Sequence, residues 1–207
     1  MDPLLIEVPP RLETSRLILR CPQPGDGTRL NDAIRESMAE LQPWMPWAQS
    51  VPSVEESEAY CRRQQARFLL REDLVWLMLE REPGGAAGRL VGAVGLHRMN
   101  WTVRRFEVGY WARHGHAGQG FVTEAVRTLT RLAFDRLGAR RVEVRMDDRN
   151  EASQRVAESA GFSFEGLLRS DSLAVDGSPR DTCIYAKVRE VPASEPQPAH
   201  RESDATA

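Results

Sequence analysis

Apolar and polar positions alternate over most of the chain, and the period changes from one segment to the next. Arg16–Cys21 (RLILRC) is a short apolar run bounded by charge, the pattern of a strand. Over Thr28–Leu41, the residues Leu30, Ile34, Met38 and Leu41 fall on one face at helical spacing and predict a helix. A turn-like aromatic and proline segment, LQPWMPWAQ, comes next. Ser53 and Glu56 then form a capping box for a second helix towards Leu70, with Val54, Cys61 and Phe68 on one side. Leu74–Arg81 and Arg89–Arg98 read as strands joined by a Pro-Gly-Gly hairpin loop, and Phe106–Ala112 reads as another strand. Gly115–Gly120 leads into a helix in which Val122, Ala125, Val126, Leu129, Ala133 and Leu137 repeat at helical spacing, closed by Gly138. Arg141–Met146 is a strand, Asn150–Ala160 a short helix ended by Gly161, and Phe162–Val175 with Thr182–Val188 a last hairpin around DGSPR.

The resulting order, β-α-α-β-β-β-α-β-α-β-β, predicts an α/β (α+β) fold with a mixed sheet flanked by helices. Three strands pair as antiparallel neighbours before a βαβ-like unit. Residues 11–190 form the single expected domain. Residues 1–10 are expected to be a flexible arm, and residues 191–207, rich in Pro, Ser, Ala and charge, a disordered tail too polar to offset its ordering entropy.

Composition narrows the function. With Lys+Arg 28 against Asp+Glu 30, the 207-residue chain is near neutral, which excludes a globally basic nucleic-acid binder. Lys187 is the one lysine, an arginine bias expected of a GC-rich coding sequence. No long apolar stretch marks a membrane span or a signal peptide. Cys21, Cys61 and Cys183 are odd in number and far apart, which suits small core residues in a reducing cytoplasm better than a disulfide framework or a metal knuckle. The histidines lack metal-ligand spacing, so no metal is expected.

The strand, glycine-rich turn and helix at 106–121 carry the chemistry. Backbone N–H groups at a helix start, cleared of side chains by Gly115, Gly118 and Gly120, suit a phosphate. The stretch lacks the Lys-Ser/Thr of a P-loop, and its G-x-x-G-x-G spacing differs from the dinucleotide fingerprint. Taken alone, it also reads as a tight turn before a helix.

FEVGYWARHGHAGQGFVTEAVRTL resembles the central motif of the GCN5-related N-acetyltransferases (GNAT), in their RimJ/RimL-like branch, through Glu107, Gly109, Tyr110, Trp111, Gly118, Gly120, Phe121, Thr123, Glu124 and Ala125. RNEASQRVAESAGFSFEGLLR is similar to the branch's second motif through Asn150, Ser153, Gly161, Phe162, Glu165, Gly166 and Arg169. LQPWMPWAQ and RLETSRLILR match two further segments, so the resemblance runs from Arg11 to Val188. Two positions depart from the superfamily pattern: Gly115 stands where an Arg or Gln is usual, and Ala117 where an aromatic often precedes the first glycine.

The resemblance implies a mostly antiparallel sheet split between Phe106–Ala112 and Arg141–Met146, with acetyl-CoA as cosubstrate entering the split. It places the cofactor against Trp111, Ala112, Gly115, His116, Ala117, Gly118, Gln119, Gly120, Phe121 and Asn150. Glu107 becomes a general base acting through water, against its plain alternative as an outer-face residue paired with Arg104 or Arg105. Ser153 becomes a proton donor to the leaving thiolate, against a polar residue near a helix start, and Asn150 serves as N-cap, cofactor ligand or both. Trp44 and Trp47 are either core aromatics or a wall of the acceptor site. His114 and His116 are expected to face solvent, and Glu124 and Arg127 to be helix-surface charges. Backbone N–H groups near Tyr110–Ala112 would hold the oxyanion. The amine attacks the thioester directly, and the motif holds no cysteine for an acyl-enzyme. The expected acceptor is a primary amine, either the N-terminus of a ribosomal or other protein or a small molecule such as an antibiotic. A non-catalytic acyl-CoA-binding module is the alternative of another class. The expected partners include neither membrane nor nucleic acid, and a homodimer stays open.

Overall fold

A computed structural model describes residues 2–189; the tail expected at 191–207 lies outside them. Eight strands form one sheet. They are β1 (Arg11–Glu13), β2 (Leu17–Arg20), β3 (Leu74–Arg81), β4 (Ala87–Asn100), β5 (Arg105–Ala112), β6 (Arg141–Asp147), β7 (Ser163–Leu173) and β8 (Pro179–Val188). Their spatial order is β1-β2-β3-β4-β5-β6-β8-β7. All neighbours are antiparallel except β5 and β6, which pair in parallel only at Arg105–Glu107 with Arg141–Glu143. Beyond that short ladder the two strands have no mutual pairing, so the sheet is split where the resemblance placed the split.

Helices cover both faces because the central strands are apolar on both. In β3, Leu74, Trp76 and Met78 join the core under α4 (Phe121–Asp135) and α5 (Glu151–Ser159), whose Ala125, Val126, Leu129, Ala133 and Ala157 point inward. Leu77 and Leu79 face the other way, towards α1 (Gly27–Glu36) and α3 (Val54–Leu69), meeting Leu30, Ala33, Ile34 and Cys61. The Ser53 and Glu56 capping box forms with both of its hydrogen bonds and starts α3.

Two expectations need correcting. Within the arm expected at 1–10, the described residues are not free: Ile6 and Val8 are 9% and 5% exposed. Arg71 Nε donates to the Ile6 carbonyl at 3.1 Å, and Trp76 Nε1 donates to the Pro9 carbonyl at 3.2 Å. The i, i+2 spacing of Ile6 and Val8 turns both towards the core. The helix expected over Thr28–Leu41 is also two helices, α1 and α2 (Met38–Leu41). Ser37 interrupts it, donating its hydroxyl to the Ala33 carbonyl at 2.6 Å while accepting the His114 N–H at 2.8 Å.

Gly27 sets the closest approach of α1 to α3. A Cβ there would lie 2.6 Å from Glu58 Cβ and 2.7 Å from its Cα and N, so the backbones themselves would have to separate. Gly27→Ala is therefore expected to destabilise the fold by ~1–3 kcal/mol, the usual range for overpacking. Thermal denaturation checks this, and an unchanged Tm would mean the crossing is not tight.

Candidate active site

The turn after β5 is anchored before it becomes glycine-rich. Arg113 is buried and holds Glu36 with two guanidinium N–H groups at 2.7 and 2.6 Å, which pulls the Glu36 carboxyl down to about 2. His114 faces solvent, its side chain 63% exposed, with Nδ1 2.5 Å from Glu40 Oε1 of α2. His116 instead is tucked in, its side chain 13% exposed and its ring 6.3 Å from that of Phe121.

Ala117, Gly118, Gln119 and Gly120 are exposed, and Gly115, Gly118 and Gly120 have φ of 76°, 74° and 80°. These left-handed values need glycine, and nothing lies within 4 Å of where a Cβ of Gly115 or Gly118 would stand. Gly120 is the N-cap of α4 and has no side chain to cap it, so the first-turn N–H groups at the positive end of the helix are presented outward. That cradle fits a pyrophosphate.

Arg16 is the residue that sequence reasoning missed here. Its Nη1 donates to the Gln119 carbonyl at 2.9 Å, its Nη2 pairs with Glu124 at 2.6 Å, and its guanidinium stacks 4.7 Å over the Phe121 ring. A basic group thus reaches the turn from the β1–β2 connection although Gly115 has replaced the one the motif usually carries. Glu124, expected to be a surface charge, is the carboxylate that holds Arg16 and also accepts its backbone N–H at 3.2 Å. Arg127 likewise is not idle, donating to the Ser159 carbonyl.

Where β5 and β6 part, a cavity of about 620 Å³ opens, its lining including Tyr110, Trp111, Asn150 and Ser153. Trp44 and Trp47 line it too, Trp47 set edge-on to Trp111 with ring centres 6.3 Å apart. Asn150 caps α5, its side-chain carbonyl accepting the Ser153 N–H at 3.0 Å. Ser153 Oγ lies 2.9 Å from the Tyr110 hydroxyl, which also donates to the Ser153 carbonyl at 3.1 Å. Burial pushes the Tyr110 phenol up to about 12, so it stays protonated and able to donate.

Glu107 lines the same cavity, its side chain 16% exposed. Its ion-pair partner is Arg98, with Nη1 3.0 Å from Oε2, rather than Arg104 or Arg105. The β4–β5 register shifts between His97 and Asn100, and Arg98 within that irregularity has φ 43°, which swings it to the Glu107 face; Arg104 instead donates to the Leu137 carbonyl. Burial raises the Glu107 carboxyl above its ordinary value, against the pull of Arg98 and Arg145. A more basic carboxylate is better suited to accept a proton. Among the described residues no group of three or more His, Cys, Asp or Glu is placed to hold a metal, and no helix is long and apolar enough to cross a membrane.

Comparison with known proteins identifies the domain. The sequence profile of the acetyltransferase (GNAT) domain matches residues 16–163. The Bacillus subtilis (strain 168) protein YdaF, provisionally named a ribosomal N-acetyltransferase, is 30% identical over 181 residues, 84% of this chain and 91% of its own. The ribosomal-protein-serine acetyltransferase of Escherichia coli (strain K12) is 26% identical over 150 residues, 72% of this chain and 79% of its own. Among solved structures, the microcin C7 self-immunity acetyltransferase MccE in complex with acetyl-CoA and AMP superposes with a TM-score of 0.79 at 20% identity, covering 88% of this chain and 98% of that one. The ribosomal L7/L12 alpha-N-protein acetyltransferase RimL with coenzyme A gives a TM-score of 0.76 at 21% identity, covering 84% and 95%.

Proposed function

We propose an acceptor for an enzyme whose family is known: the chain belongs to the acetyltransferase (GNAT) family and is an N-acetyltransferase that uses acetyl-CoA. The acceptor in this reading is the N-terminal amine of a protein, of the ribosomal kind named for two relatives. The observation that carries it is the open acceptor wall. Trp47 and Leu173 line the cavity and are themselves exposed, so the apolar wall runs out to the surface and fits a chain end better than an enclosed small molecule. The buried, unbridged thiols of Cys21, Cys61 and Cys183 support a cytoplasmic site of action.

The reaction follows from the residues in the split. Backbone donors around Gly118–Phe121 hold the pyrophosphate, with Trp111, Ala112 and Asn150 along the arm. An α-amine, with a pKa of about 7.7–8.0, needs modest help to lose its proton, and Glu107 takes that proton through a water. The neutral amine attacks the thioester carbonyl. Main-chain N–H groups of Tyr110 and Ala112, which point to the side of β5 that has lost its β6 partner, stabilise the oxyanion. Ser153, hydrogen-bonded to Tyr110, passes a proton to the departing sulfur. Holding two substrates in one cleft supplies much of the remaining acceleration.

A second reading, a small-molecule amine as acceptor, is favoured by the fold shared with MccE. The test is thiol release from acetyl-CoA with peptides bearing free N-termini beside small amines. The expected result is turnover with peptides that acetylated N-termini abolish. Turnover confined to small amines would replace the first reading with the second, and no thiol release with any amine would leave a non-catalytic binding module.

A further inference from the structure

Asp73 and His97 form a pair that the reaction above has not used. Asp73 lies just ahead of β3, 7% exposed, with Oδ1 2.6 Å from His97 Nδ1 and Oδ2 3.5 Å from Arg67 Nη1. A carboxylate only accepts, so beside one Nδ1 is the ring's donor, and in the neutral imidazole Nε2 then keeps the lone pair. His97 stands directly opposite Glu107 in the β4–β5 register, which puts both side chains on one face of the sheet.

The ring has a made-to-measure seat. One pair further along the same face, Gly95 is opposite Gly109, and the imidazole lies over both. A Cβ at Gly95 would fall 2.7 Å from Cε1 and Nε2, and one at Gly109 would fall 2.8 Å from Cδ2 and 3.0 Å from Nε2. Any larger residue at either position would displace the ring. His97 lines the cavity together with Glu107 and Tyr110, yet its side chain is 35% exposed, so the seat also opens to water. The charged groups facing it are Asp73 and Glu107, with Arg67 and Arg98 as their ion-pair partners, while Glu143 and Arg145 act on Glu107.

We propose that the Asp73–His97 pair is a second proton station of the acetyl transfer, in series with Glu107. This deepens the acetyltransferase reading and rests on it. Glu107 takes one proton from the acceptor ammonium through a water, an N–H bond breaking as an O–H bond forms at the carboxyl; that O–H bond then breaks as an N–H bond forms at His97 Nε2, which restores the carboxylate. Asp73 steadies the imidazolium. The freed lone pair of the amine forms the C–N bond, and the C–S bond breaks with its electron pair going to sulfur. The remaining excess proton on nitrogen reaches sulfur by way of Ser153 and Tyr110, giving amide and free thiol. The imidazolium then returns its proton to solvent.

A purely structural pair, tying the start of β3 to β4, behaves differently under three variants. His97→Ala is expected to lower kcat by ~10²-fold with the coenzyme A Kd unchanged, and added imidazole is expected to restore part of the rate by entering the vacated seat. Asp73→Asn donates to Nδ1 and moves the ring hydrogen to Nε2, a change of tautomer read in the ¹⁵N spectrum of histidine-labelled protein, with a comparable fall in kcat. Combining His97→Ala with Glu107→Gln is expected to cost about as much as the larger single change, because groups acting in series are non-additive. The proposal is overturned by a His97→Ala kcat within about threefold of the parent where loss of a base should cost ~10²-fold or more. It is equally overturned by multiplying effects in the double variant, or by a tautomer switch in Asp73→Asn with no change in rate. An inactive parent protein would instead remove the acetyltransferase reading, which these variants do not address.

Discussion

Gly120→Asp is expected to abolish coenzyme A binding while leaving a folded protein. Gly120 caps α4 with φ 80°, a conformation costing ~1–3 kcal/mol for most other residues, though aspartate tolerates it better than most. A Cβ there would stand 3.3 Å from Arg16 Nη2, and the new carboxylate would take the guanidinium for itself. Its charge would also occupy the helix N-terminus proposed to hold the pyrophosphate. Two unit charges 4 Å apart repel by ~4 kcal/mol at the effective dielectric of a protein surface, which is ~10³-fold in affinity. Gly120→Ala separates the causes, since it keeps the backbone strain and omits the charge, and it is expected to retain measurable binding. Titration calorimetry with coenzyme A reads both variants, and the parent's rise in Tm with ligand should vanish in the aspartate variant. Equal Kd in parent and aspartate variant would move the phosphate site elsewhere.

Glu107→Gln is the second large effect expected. The amide keeps the shape and hydrogen bonding of the carboxylate but loses its basicity, so kcat near neutral pH falls by ~10²–10⁴-fold with little change in coenzyme A affinity. Raising the pH recovers part of the rate, because solvent then deprotonates the amine. Stability should move the other way. Burial raises the folded-state pKa of Glu107, so its ionised form costs stability. That cost is absent below the ordinary carboxylate range and grows as pH rises through the raised value. At pH 7 the glutamine variant is therefore expected to melt no lower than the parent. Parallel pH–rate profiles within threefold of each other, or a clear loss of Tm, would make Glu107 a structural residue.

What was legible in the sequence was local. The capping box at Ser53, the N-cap at Asn150 and the glycine turn before Phe121 depend on residues within a few positions of one another, and each formed as the spacing implied. What was not legible depends on partners far along the chain. Tyr110 meets Ser153 across 43 positions, Arg16 meets Gln119 across 103, and Asp73 meets His97 across 24. No periodicity encodes such pairs. The same holds for the arm that is no arm: Ile6 and Val8 are too few to announce a core segment, and only Arg71 and Trp76 show where their backbone is tied. The interruption at Ser37 was hidden because Leu30, Ile34, Met38 and Leu41 keep helical spacing straight through it.

The anchoring of the turn after β5 makes the two substrates mechanically acquainted. Arg113, held by Glu36, and His114, held by Ser37 and Glu40, lie immediately before the phosphate cradle, while the helix they grip leads within a few residues to Trp44 and Trp47. In the proposed reading, cofactor and acceptor therefore lean on opposite ends of one short strut. Whatever part of the donor's binding free energy goes into fixing that strut returns as tighter binding of the acceptor, and by the same amount in reverse, since coupling between two ligands is reciprocal.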